Sequence, residues 1–393
     1  MSYNLWNDCP KVPITELLSF IVDNRGKTVP TAEKGHKLIA TNCVTNNTLF
    51  PVYEKVRYLS EETYKNWFRA HPLPGDILFV NKGTPGRVCM VPDPVDFCIA
   101  QDMIALRADD SKVYNKYLFA VLRSNVIQQQ IYNTNVGDVI PHFKKQFMDQ
   151  LLIPVPDRKI QEAIGDLYYA LSYKAEHNKK INNNLQQQAA AIFANFYDRA
   201  ETEVGFTEII QILGGGTPKT GESSYWNGSV PFFTPKDVGS PYTLTTEKTI
   251  TEEGLAHCNS RLYPVNTVFV TARGTVGKVG LPGVPMAMNQ SCYALIGKDT
   301  HQLLVYFYTL KAVDRLKHKA SGAVFDAITT RDFESEIIMK LSDDDAKDFL
   351  DVAEPIYQAV LSNSIENLRL AALRDSLLPK LMSGEIDVSN IQI

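Results

Sequence analysis

Two stretches of the chain carry a long helical repeat of apolar positions. In the first, the residues expected to face a partner helix alternate in steps of four and three: Ile160, Ile164, Leu167, Leu171, Lys174, Asn178, Ile181, Leu185, Gln188 and Ile192. A repeat that averages ~3.5 residues and lasts about four to five heptads is typical of a helix that supercoils against another helix. The pattern therefore predicts one long helix over residues 157–199, with a buried seam along one side.

The second stretch repeats the first. The same stepping recurs at Phe349, Ala353, Ile356, Val360, Asn363, Asn367, Leu370, Arg374, Leu377 and Leu381. A shift of 185 residues, the difference between positions 164 and 349, superposes Ile164 on Phe349 and Leu171 on Ile356. The chain is therefore an internal duplication, and the second copy of the helix is expected over residues 342–384.

The same shift superposes Asn178 on Asn363, and each of these asparagines lies near the middle of its predicted helix. If a two-fold axis relates the two halves, the helices run antiparallel and the two side chains should meet. A buried polar pair in a helical seam fixes the register at some cost in stability. The alternative, that both face solvent at a loosened turn, is equally open at this point. We expect Asn178 and Asn363 to set the helix register.

Each long helix follows a segment with mixed helix and strand signals, including a strand over Ile99–Leu106 and a helix over Tyr114–Tyr132 in the first copy. The clearest correspondence joins PGDILFVNKGTPGRV (Pro74–Val88) to PVNTVFVTARGTVGKV (Pro264–Val279), where an apolar strand enters a glycine-rich turn. We predict an α+β fold with two similar mixed α/β domains, separated by two long antiparallel coiled-coil helices in a pseudo-two-fold internal repeat. The predicted segments are residues 1–156, 157–199, 200–341, 342–384 and a tail over 385–393.

Composition and charge exclude several classes of protein. The chain has 393 residues, 44% of them apolar, and a formal net charge of −4, which gives no overall reason to expect a nucleic-acid partner. Residues 25–87 nevertheless carry more basic than acidic side chains, so a local basic surface is expected. No apolar run approaches the ~18 residues of a membrane span and no leader pattern is present, so we expect a cytoplasmic protein. The six cysteines form no CxxC pair, which favours free thiols.

The two glycine turns place cations at matching positions. Lys82 corresponds to Arg273, and Arg87 corresponds to Lys278. Neither turn is a Walker loop, because that loop needs an earlier glycine and a Ser or Thr after the lysine. A solvated hairpin and a contact with a phosphate backbone are equally compatible with this pattern.

Amide, hydroxyl and basic side chains in the loops are candidates for reading DNA, because Asn and Gln pair with adenine edges and Arg and Lys with guanine edges. Each such residue taken alone is more often an ordinary turn residue. Asn47 and Asp237 lie in the same loops and are candidates on the same grounds. The candidate DNA-binding residues are Arg25, Lys27, Asn42, Asn46, Lys82, Thr84, Arg87, Thr217, Lys219, Lys236, Arg273, Thr275 and Lys278.

The sequence contains no recognisable catalytic constellation. It has no HExxH or GxSxG motif, and none of its seven histidines stands at a paired metal-ligand spacing. We therefore expect a binding protein without catalytic or metal-ligating residues. A coiled-coil scaffold whose α/β domains bind other proteins is the alternative from a different functional class.

The order of motifs resembles the specificity subunit of type I restriction-modification systems over essentially the full chain. The resemblance rests on YWNGSVPFFTPKDV, ITEEGL, VFVTARGTVGKVG, NQSCYAL and, above all, LRDSLLPKLMSGEIDV at Leu373–Val388. The first copy departs from the second, with Pro85 inside its turn and RGKTVP in place of GGGTPK. Its DNA-contacting residues are accordingly harder to assign.

This resemblance implies a non-catalytic, DNA-binding chain with two target recognition domains, residues 1–156 and 200–341. Each domain would read one half of a bipartite, asymmetric DNA site. The spacer helices would set the separation of the halves and dock two methyltransferase subunits, which bind S-adenosylmethionine and methylate adenine, while restriction subunits cleave. A close alternative is the specificity component of a related bipartite system in which methylase and nuclease share one partner chain.

Overall fold

The computed structural model describes residues 4–24, 27–134, 141–319 and 326–387, so the candidate Arg25 lies outside the described residues. Contacts divide the chain into two compact units, Met1–Asn178 with Asn367–Ile393, and Lys179–Glu366. Each long helix therefore contributes one half to each unit, whereas the predicted segments treat each helix as a separate piece.

The first unit is an α+β structure. Its described strands are β1 (Lys11–Pro13), β2 (Leu18–Val22), β3 (His36–Ile39), β4 (Arg57–Leu59), β5 (Ile77–Val80), β6 (Val88–Met90), β7 (Phe97–Ile99), β8 (Met103–Ala108) and β9 (Leu152–Pro154). Its described helices are α1 (Leu5–Asp8), α2 (Glu61–Asn66), α3 (Asn115–Leu122), α4 (Asn125–Asn133), the first half of α5 (Arg158–Asp198) and the last part of α10 (Asp343–Ser383). The strands form a four-stranded sheet in the order β2-β8-β5-β6, a three-stranded sheet in the order β4-β3-β7, and the pair β1-β9.

Strand β5, inside the four-stranded sheet of the first unit, is buried on both faces. Ile77 and Phe79 belong to the apolar cluster that includes α3 and α5, while Leu78 and Val80 belong to the cluster that includes the three-stranded sheet. Successive side chains of a strand point to opposite faces, so a strand covered on both sides needs a continuous apolar run. Fully burying each such side chain contributes about 1.5–3 kcal/mol before entropy is counted.

Two elements predicted as continuous are divided in the first unit. The strand expected over Ile99–Leu106 becomes β7 and β8, because a turn at residues 101–102 moves the chain from one sheet to the other. The helix expected over Tyr114–Tyr132 becomes α3 and α4, because Ser124 caps a new helix start by accepting a hydrogen bond from the N–H of Ile127 at 3.4 Å. The sequence LSEETYKNWF (Leu59–Phe68) also predicts a helix, since Ser60 is suited to an N-cap, and α2 with Ser60 as its N-cap confirms it.

The second unit repeats this architecture. Its described strands are β10 (Thr202–Gly205), β11 (Ile210–Gly214), β12 (Trp226–Phe233), β13 (Tyr242–Thr243), β14 (Lys248–Ile250), β15 (Val268–Thr271), β16 (Val279–Pro282), β17 (Ala287–Met288), β18 (Cys292–Gly297) and β19 (Ile337–Lys340). Its described helices are α6 (Phe206–Ile209), α7 (Glu252–Ala256), α8 (Gln302–Lys319), α9 (Thr330–Glu334) and the first part of α10 (Asp343–Ser383), with the second half of α5. The sheets have the orders β11-β18-β15-β16-β13, β14-β12-β17 and β10-β19.

The central strand of the second unit shows the same two-sided burial. Val268 and Val270 of β15 belong to the cluster that includes α8 and both long helices, while Phe269 packs with Phe233 and the three-stranded sheet. The duplicated sequence therefore produces a duplicated core, as the α+β prediction requires.

The long helices α5 and α10 each contain 41 residues. At ~1.5 Å per residue each is about 60 Å long. Pro355 lies inside α10, yet this helix begins at Asp343, so the missing backbone N–H of the proline does not delay the helix start.

Within the first unit, α5 and α10 pack antiparallel. The guanidinium of Arg374 lies 5.7 Å from the ring centre of Tyr168, and Asn178 Nδ2 donates a hydrogen bond to Asn367 Oδ1 at 3.0 Å. As the residue number rises along α5, that of the partner on α10 falls, as the sequence repeat predicts for this pair of helices.

Within the second unit, the same two helices are again antiparallel. Asn363 Nδ2 donates to Asn182 Oδ1 at 2.8 Å, and the rings of Phe193 and Phe349 lie 5.3 Å apart. Asn178 and Asn363, which the sequence indicates as register residues, bond to Asn367 and Asn182, and the repeat did not identify these partners. A pairing of those two with each other would join the two units and stays a prediction.

None of the helices in the described part of the chain is both long enough and apolar enough to span a bilayer.

Candidate nucleic-acid interface

The hairpin turn between β5 and β6 carries the candidate cations of the first unit. Gly83 and Gly86 both adopt φ of +87°, a left-handed conformation that residues with a Cβ rarely adopt. The turn is closed by a hydrogen bond from the N–H of Gly86 to the carbonyl of Val80 at 3.0 Å. Its tight path leaves the side chains of Lys82 and Arg87 exposed to solvent, with Thr84 half-buried between them.

The turn between β15 and β16 has the same construction in the second unit. Gly274 and Gly277 adopt φ of +82° and +71°, and the N–H of Gly277 donates to the carbonyl of Thr271 at 2.8 Å. The side chains of Arg273, Thr275 and Lys278 are exposed. The two cations expected from the sequence thus occur at equivalent places of two equivalent turns.

A carbonyl from a neighbouring loop holds the start of each turn. In the first unit, the N–H groups of Asn81 and Lys82 donate to the carbonyl of Asp102 at 2.9 and 3.3 Å. In the second unit, the N–H groups of Ala272 and Arg273 donate to the carbonyl of Ser291 at 2.8 and 3.3 Å. The duplicated backbone bonds place the first cation of each turn in the same local frame.

In each unit a third segment also forms a backbone hydrogen bond to the residue at the start of the turn. The N–H of Phe143 donates to the carbonyl of Asn81 at 2.8 Å, and the N–H of Ile328 donates to the carbonyl of Ala272 at 2.9 Å. Lys144, which the sequence analysis did not consider, directly follows Phe143 and is exposed. Its closeness to the turn depends on a contact between residues 81 and 143, which no local sequence pattern reports.

The second unit brings several of its candidate loops against its turn. The hydroxyl of Thr275 donates to the carbonyl of Pro235 at 3.2 Å, so the loop with Lys236 borders the turn. The hydroxyl of Thr217 donates to Gln290 Oε1, and Gln290 adjoins Ser291, the residue that holds the start of the turn. These loops therefore form one continuous surface.

The remaining candidates of the second unit differ in whether their charged groups form hydrogen bonds within the protein. The carbonyl of Lys219 accepts a hydrogen bond from the indole N–H of Trp226 at 3.1 Å, and its ammonium group is exposed. Asp237, by contrast, accepts from the N–H of Thr234 at 2.8 Å and from that of Glu247 at 2.9 Å. Its carboxylate organises the loop, whereas the ammonium of Lys219 is available to a ligand.

The asparagines of the first unit also have structural contacts. Asn46 Oδ1 accepts a hydrogen bond from the N–H of Val88 at 2.8 Å, directly beside the turn, and Asn42 Nδ2 donates to the carbonyl of Glu54. Asn47 and Lys27 are exposed. Asn46 therefore supports the turn, and its Nδ2 is the part that remains for base contact.

The second turn has a further cation that sequence reasoning missed. Lys317, near the end of α8, is exposed, and its Cε lies 2.6 Å from where a Cβ on Gly277 would be. In the first unit the side chain that contacts the equivalent glycine is neutral. It is Gln128, whose Nε2 donates to the carbonyl of Gly86 at 2.8 Å. The lysine-rich end of α8 was the only signal in the sequence that pointed to this position.

The four turn cations differ from many surface cations in their lack of a close carboxylate within the part of the chain that the structure describes. Among the described residues, none of Lys82, Arg87, Arg273 and Lys278 forms an ion pair. Lys236 lies 4.0 Å from Glu247, and both side chains are largely exposed, so water and salt screen that pair. Unpaired exposed cations beside backbone turns are suited to neutralising phosphates, which positions a protein on DNA without reading its sequence.

The thiols next to the turns are inert. Burial raises the pKa of Cys89 on β6 and of Cys292 on β18 to about 12, so both stay protonated at neutral pH. Within the described ranges, no group of three His, Cys, Asp or Glu side chains is placed to hold a metal ion.

Comparison with known proteins matches the chain to one family. The family model described as the type I restriction modification DNA specificity domain matches residues 23–187 and, a second time, residues 202–340. Each match contains one glycine turn with its two cations.

Individual relatives are similar over most or part of the chain. The chain is 23% identical over 398 aligned positions to the type I restriction enzyme HindI specificity subunit of Haemophilus influenzae, covering 79% of this chain and 86% of that protein. It is 32% identical over 124 residues to the type I restriction enzyme MjaIX specificity subunit of Methanocaldococcus jannaschii, covering 30% and 29% of the two chains. The crystal structure of a type I restriction-modification system S subunit from M. genitalium has a similar fold, with a TM-score of 0.59 at 15% identity over 95% of this chain and 96% of that one.

Proposed function

The chain belongs to the family of type I restriction-modification specificity subunits, and we propose that each of its two α/β domains reads one half of a bipartite, asymmetric DNA site. The observation that carries this proposal is the duplicated turn. Two cations stand at equivalent places of both turns, and the start of each turn is held by the carbonyl of Asp102 in one unit and of Ser291 in the other.

Phosphate contact and base reading are assigned to different groups. Lys82, Arg87, Arg273 and Lys278 contact the DNA backbone and hold the protein in register on the duplex. The flanking loops differ in sequence between the copies, with asparagines in the first and Thr217 and neighbours in the second. Two different loops beside two similar turns give two half-sites of different sequence.

The chain itself catalyses no step in this proposal. Adenine methylation belongs to two methyltransferase subunits, which bind S-adenosylmethionine, and cleavage belongs to restriction subunits. This chain selects the DNA sequence on which its partners act. The long helices set the number of base pairs between the half-sites and carry the docking surface for the methyltransferase subunits.

A ladder of three rings on α5, of which Tyr169 is half-buried and Tyr173 and His177 are exposed, supports the docking assignment. Tyr169 and Tyr173 stack at 5.9 Å between ring centres, Tyr173 and His177 stack at 6.2 Å, and Tyr173 is 49% exposed. Aromatic side chains are enriched in protein interfaces and often dominate their binding energy. An aligned ladder of this kind is suited to a partner protein.

Domain exchange tests the bipartite proposal. Residues 12–154 are replaced by those of a relative with a known half-site, and genomic methylation is mapped in cells that express the chimera with its methyltransferase. We expect one half of the methylated motif to change and the other half and the spacer length to be retained. A change in both halves would contradict the assignment of one half-site to each domain.

Co-purification tests the docking surface. Tyr173→Ala should reduce the amount of methyltransferase recovered with the tagged chain, because it removes the central ring of the ladder. Tyr132→Ala is the matched control, since Tyr132 is 73% exposed but lies on α4. Equal recovery with both variants would place the docking surface elsewhere.

A further inference from the structure

The first unit contains a cavity of about 570 Å³, whose rim includes Asn46 and Asn47 of the candidate DNA-reading loop. The DNA-binding proposal does not use the rest of its lining. Its walls come from the start of α4, the loop after β3, and the portion of α10 that belongs to this unit. The residues that determine its chemistry are Trp6, Arg123, Ser124, Tyr168, Arg374 and Met382. A cavity of this volume is in the range of small-molecule sites.

Arg123 is a buried cation without a carboxylate partner. Its side chain lines the cavity, the residue is only 8% exposed, and among the described residues it forms no ion pair. Its Nη2 donates to the carbonyls of Thr45, Thr48 and Val88, so one role of Arg123 is to hold these backbone segments together. Its Nε and Nη1, however, are buried and find no hydrogen-bond acceptor in the part of the chain that the structure describes. Buried cations of this kind are rarely retained without a compensating anion.

A second arginine faces the same cavity. Arg374 is 6% exposed, lies 5.7 Å from the ring centre of Tyr168, and donates through Nε to Asp375 at 2.8 Å. Burial lowers the pKa of Arg123, and the hydroxyl of the neighbouring Tyr168 offsets part of this effect. The charge of Arg374 lowers the same pKa by a smaller amount. One carboxylate therefore faces two guanidinium groups, which leaves a positive charge in the cavity.

The packing of α5 against α10 does not require the large side chains of Tyr168 and Arg374. In the duplicate, the 185-residue shift places Ala353 at the position of Tyr168 and Ala189 at the position of Arg374. Both alanines are buried, at 1% and 0% exposure, and complete the core of the second unit. Because small residues suffice there, Tyr168 and Arg374 have a role in the first unit beyond closing the seam.

The start of α4 adds donors to the cavity wall. Ser124 is the N-cap of this nine-residue helix, and Ser124, Asn125 and Val126 line the cavity. The first N–H groups of a helix have no acceptor within the helix, and the helix dipole favours an anion at this end. The arginines and these N–H groups together offer more donors than the two oxygens of a carboxylate use.

We propose that this cavity is a binding site for a small phosphate monoester, which is held by its phosphate between the start of α4 and the two arginines. A phosphate monoester supplies three terminal oxygens and close to two negative charges, which match the donors and the excess charge of the cavity. The apolar wall formed by Trp6, Leu378 and Met382 accepts the organic part of the molecule.

A DNA duplex is not the ligand that this geometry favours. Backbone phosphodiesters reach exposed cations such as Lys82, whereas Arg123 is more than nine-tenths buried. A small molecule enters the cavity, where a duplex does not.

Calorimetric titration of the full-length chain tests the site, with adenosine 5′-monophosphate, inorganic phosphate and adenosine as probes. We expect saturable binding of the nucleotide, binding of inorganic phosphate that is at least about tenfold weaker, and no binding of adenosine, because the phosphate provides the charge.

Two substitutions at one position separate binding from folding. Val126 is 43% exposed at the rim of the cavity, in the first turn of α4. Val126→Asp places a carboxylate at a helix N-terminus, where it favours folding, but it competes with the phosphate. We expect it to weaken nucleotide binding by about tenfold or more with an unchanged or higher melting temperature, while Val126→Asn binds like the wild type.

Substitutions at two arginines, one inside the cavity and one outside it, provide the second comparison. Arg374→Gln should weaken nucleotide binding, whereas Arg261→Gln, an exposed arginine of the second unit, should not. Absence of nucleotide binding to the wild type at millimolar concentration would overturn the proposal, as would equal binding by the wild type, Val126→Asp and Arg374→Gln. If these variants lowered DNA affinity and left nucleotide binding unchanged, the cavity would belong to the DNA surface and the proposal would also fail.

Discussion

The side-chain amide of Asn178 donates a hydrogen bond to Asn367 Oδ1 at 3.0 Å, inside the seam between α5 and α10 of the first unit. Asn363 and Asn182 form the matching bond at 2.8 Å in the second unit. The 185-residue shift converts one pair into the other, since it takes Asn178 to Asn363 and Asn182 to Asn367. The register of the two helices is therefore marked by two equivalent amide bonds.

Replacing one pair as a whole should stabilise the protein. The double variant Asn178→Leu with Asn367→Leu buries apolar surface in place of an amide pair, and we expect a higher melting temperature with a less strictly defined register. The single variant Asn178→Leu should instead destabilise by about 1–3 kcal/mol, because the amide of Asn367 loses its partner. Thermal unfolding of the three proteins checks this contrast; a double variant that is less stable than the single one would refute it.

The turn cations should act on affinity and not on sequence preference. Lys82→Ala and Lys278→Ala should each weaken DNA binding by the methyltransferase complex at every sequence and reduce the slope of log K against log salt by about 0.9. Lys65→Ala is the control, since Lys65 is exposed and pairs with Glu61 on α2. The measurement is a fluorescence titration at several salt concentrations, and an unchanged slope would show that the turns do not contact phosphate.

The length of the long helices should set the spacer between half-sites. One additional heptad inserted after Lys179 in α5 and another after Ile365 in α10 preserve the seam and lengthen both helices by about 10 Å. This corresponds to a spacer longer by about three base pairs at ~3.4 Å per pair. Methylation mapping reads the spacer directly. An active variant with the original spacer would rule out this role of the helices.

Low pH should weaken the contact between α3 and α5 in the first unit. Partial burial raises the pKa of Asp166, but hydrogen bonds from Lys116 at 2.6 Å and Tyr114 at 2.8 Å outweigh it and lower this pKa below its usual value. A lowered pKa in the folded state gives stability that is present above the unfolded value of about 3.9 and is lost as the pH falls through the folded value.

Asp166→Asn should therefore destabilise the protein at pH 7 and bring its stability closer to that of the wild type under acidic conditions. The expected loss is on the order of 0.5–1 kcal/mol, because the pair is about one-third exposed and screened by solvent. Denaturant unfolding as a function of pH provides the measurement. A loss that is equally large at all pH values would exclude an electrostatic origin.

The sequence predicts those features of the fold that repeat locally. The heptad positions give α5 and α10, the apolar runs give β5 and β15, and the paired glycines give the two turns. It does not predict the break between α3 and α4, because the apolar periodicity continues through Ser124, whose capping bond interrupts the helix.

Contacts between distant residues account for most of the rest. The carbonyl of Asp102 holds the turn at Lys82, and that of Ser291 holds the turn at Arg273, although nothing in the sequence near either turn marks the acceptor. The partner of Asn178 depends on the stagger of two antiparallel helices, which the repeat alone does not specify. Such features require the assembled core.

Genome-wide methylation mapping in cells that carry this chain with its methyltransferase tests the central claim most directly. We expect methylated adenines in a single asymmetric motif, with two specified segments of different sequence separated by a spacer of fixed length. A continuous motif, two identical half-sites, or a methylation pattern that persists when this chain is removed would contradict the account.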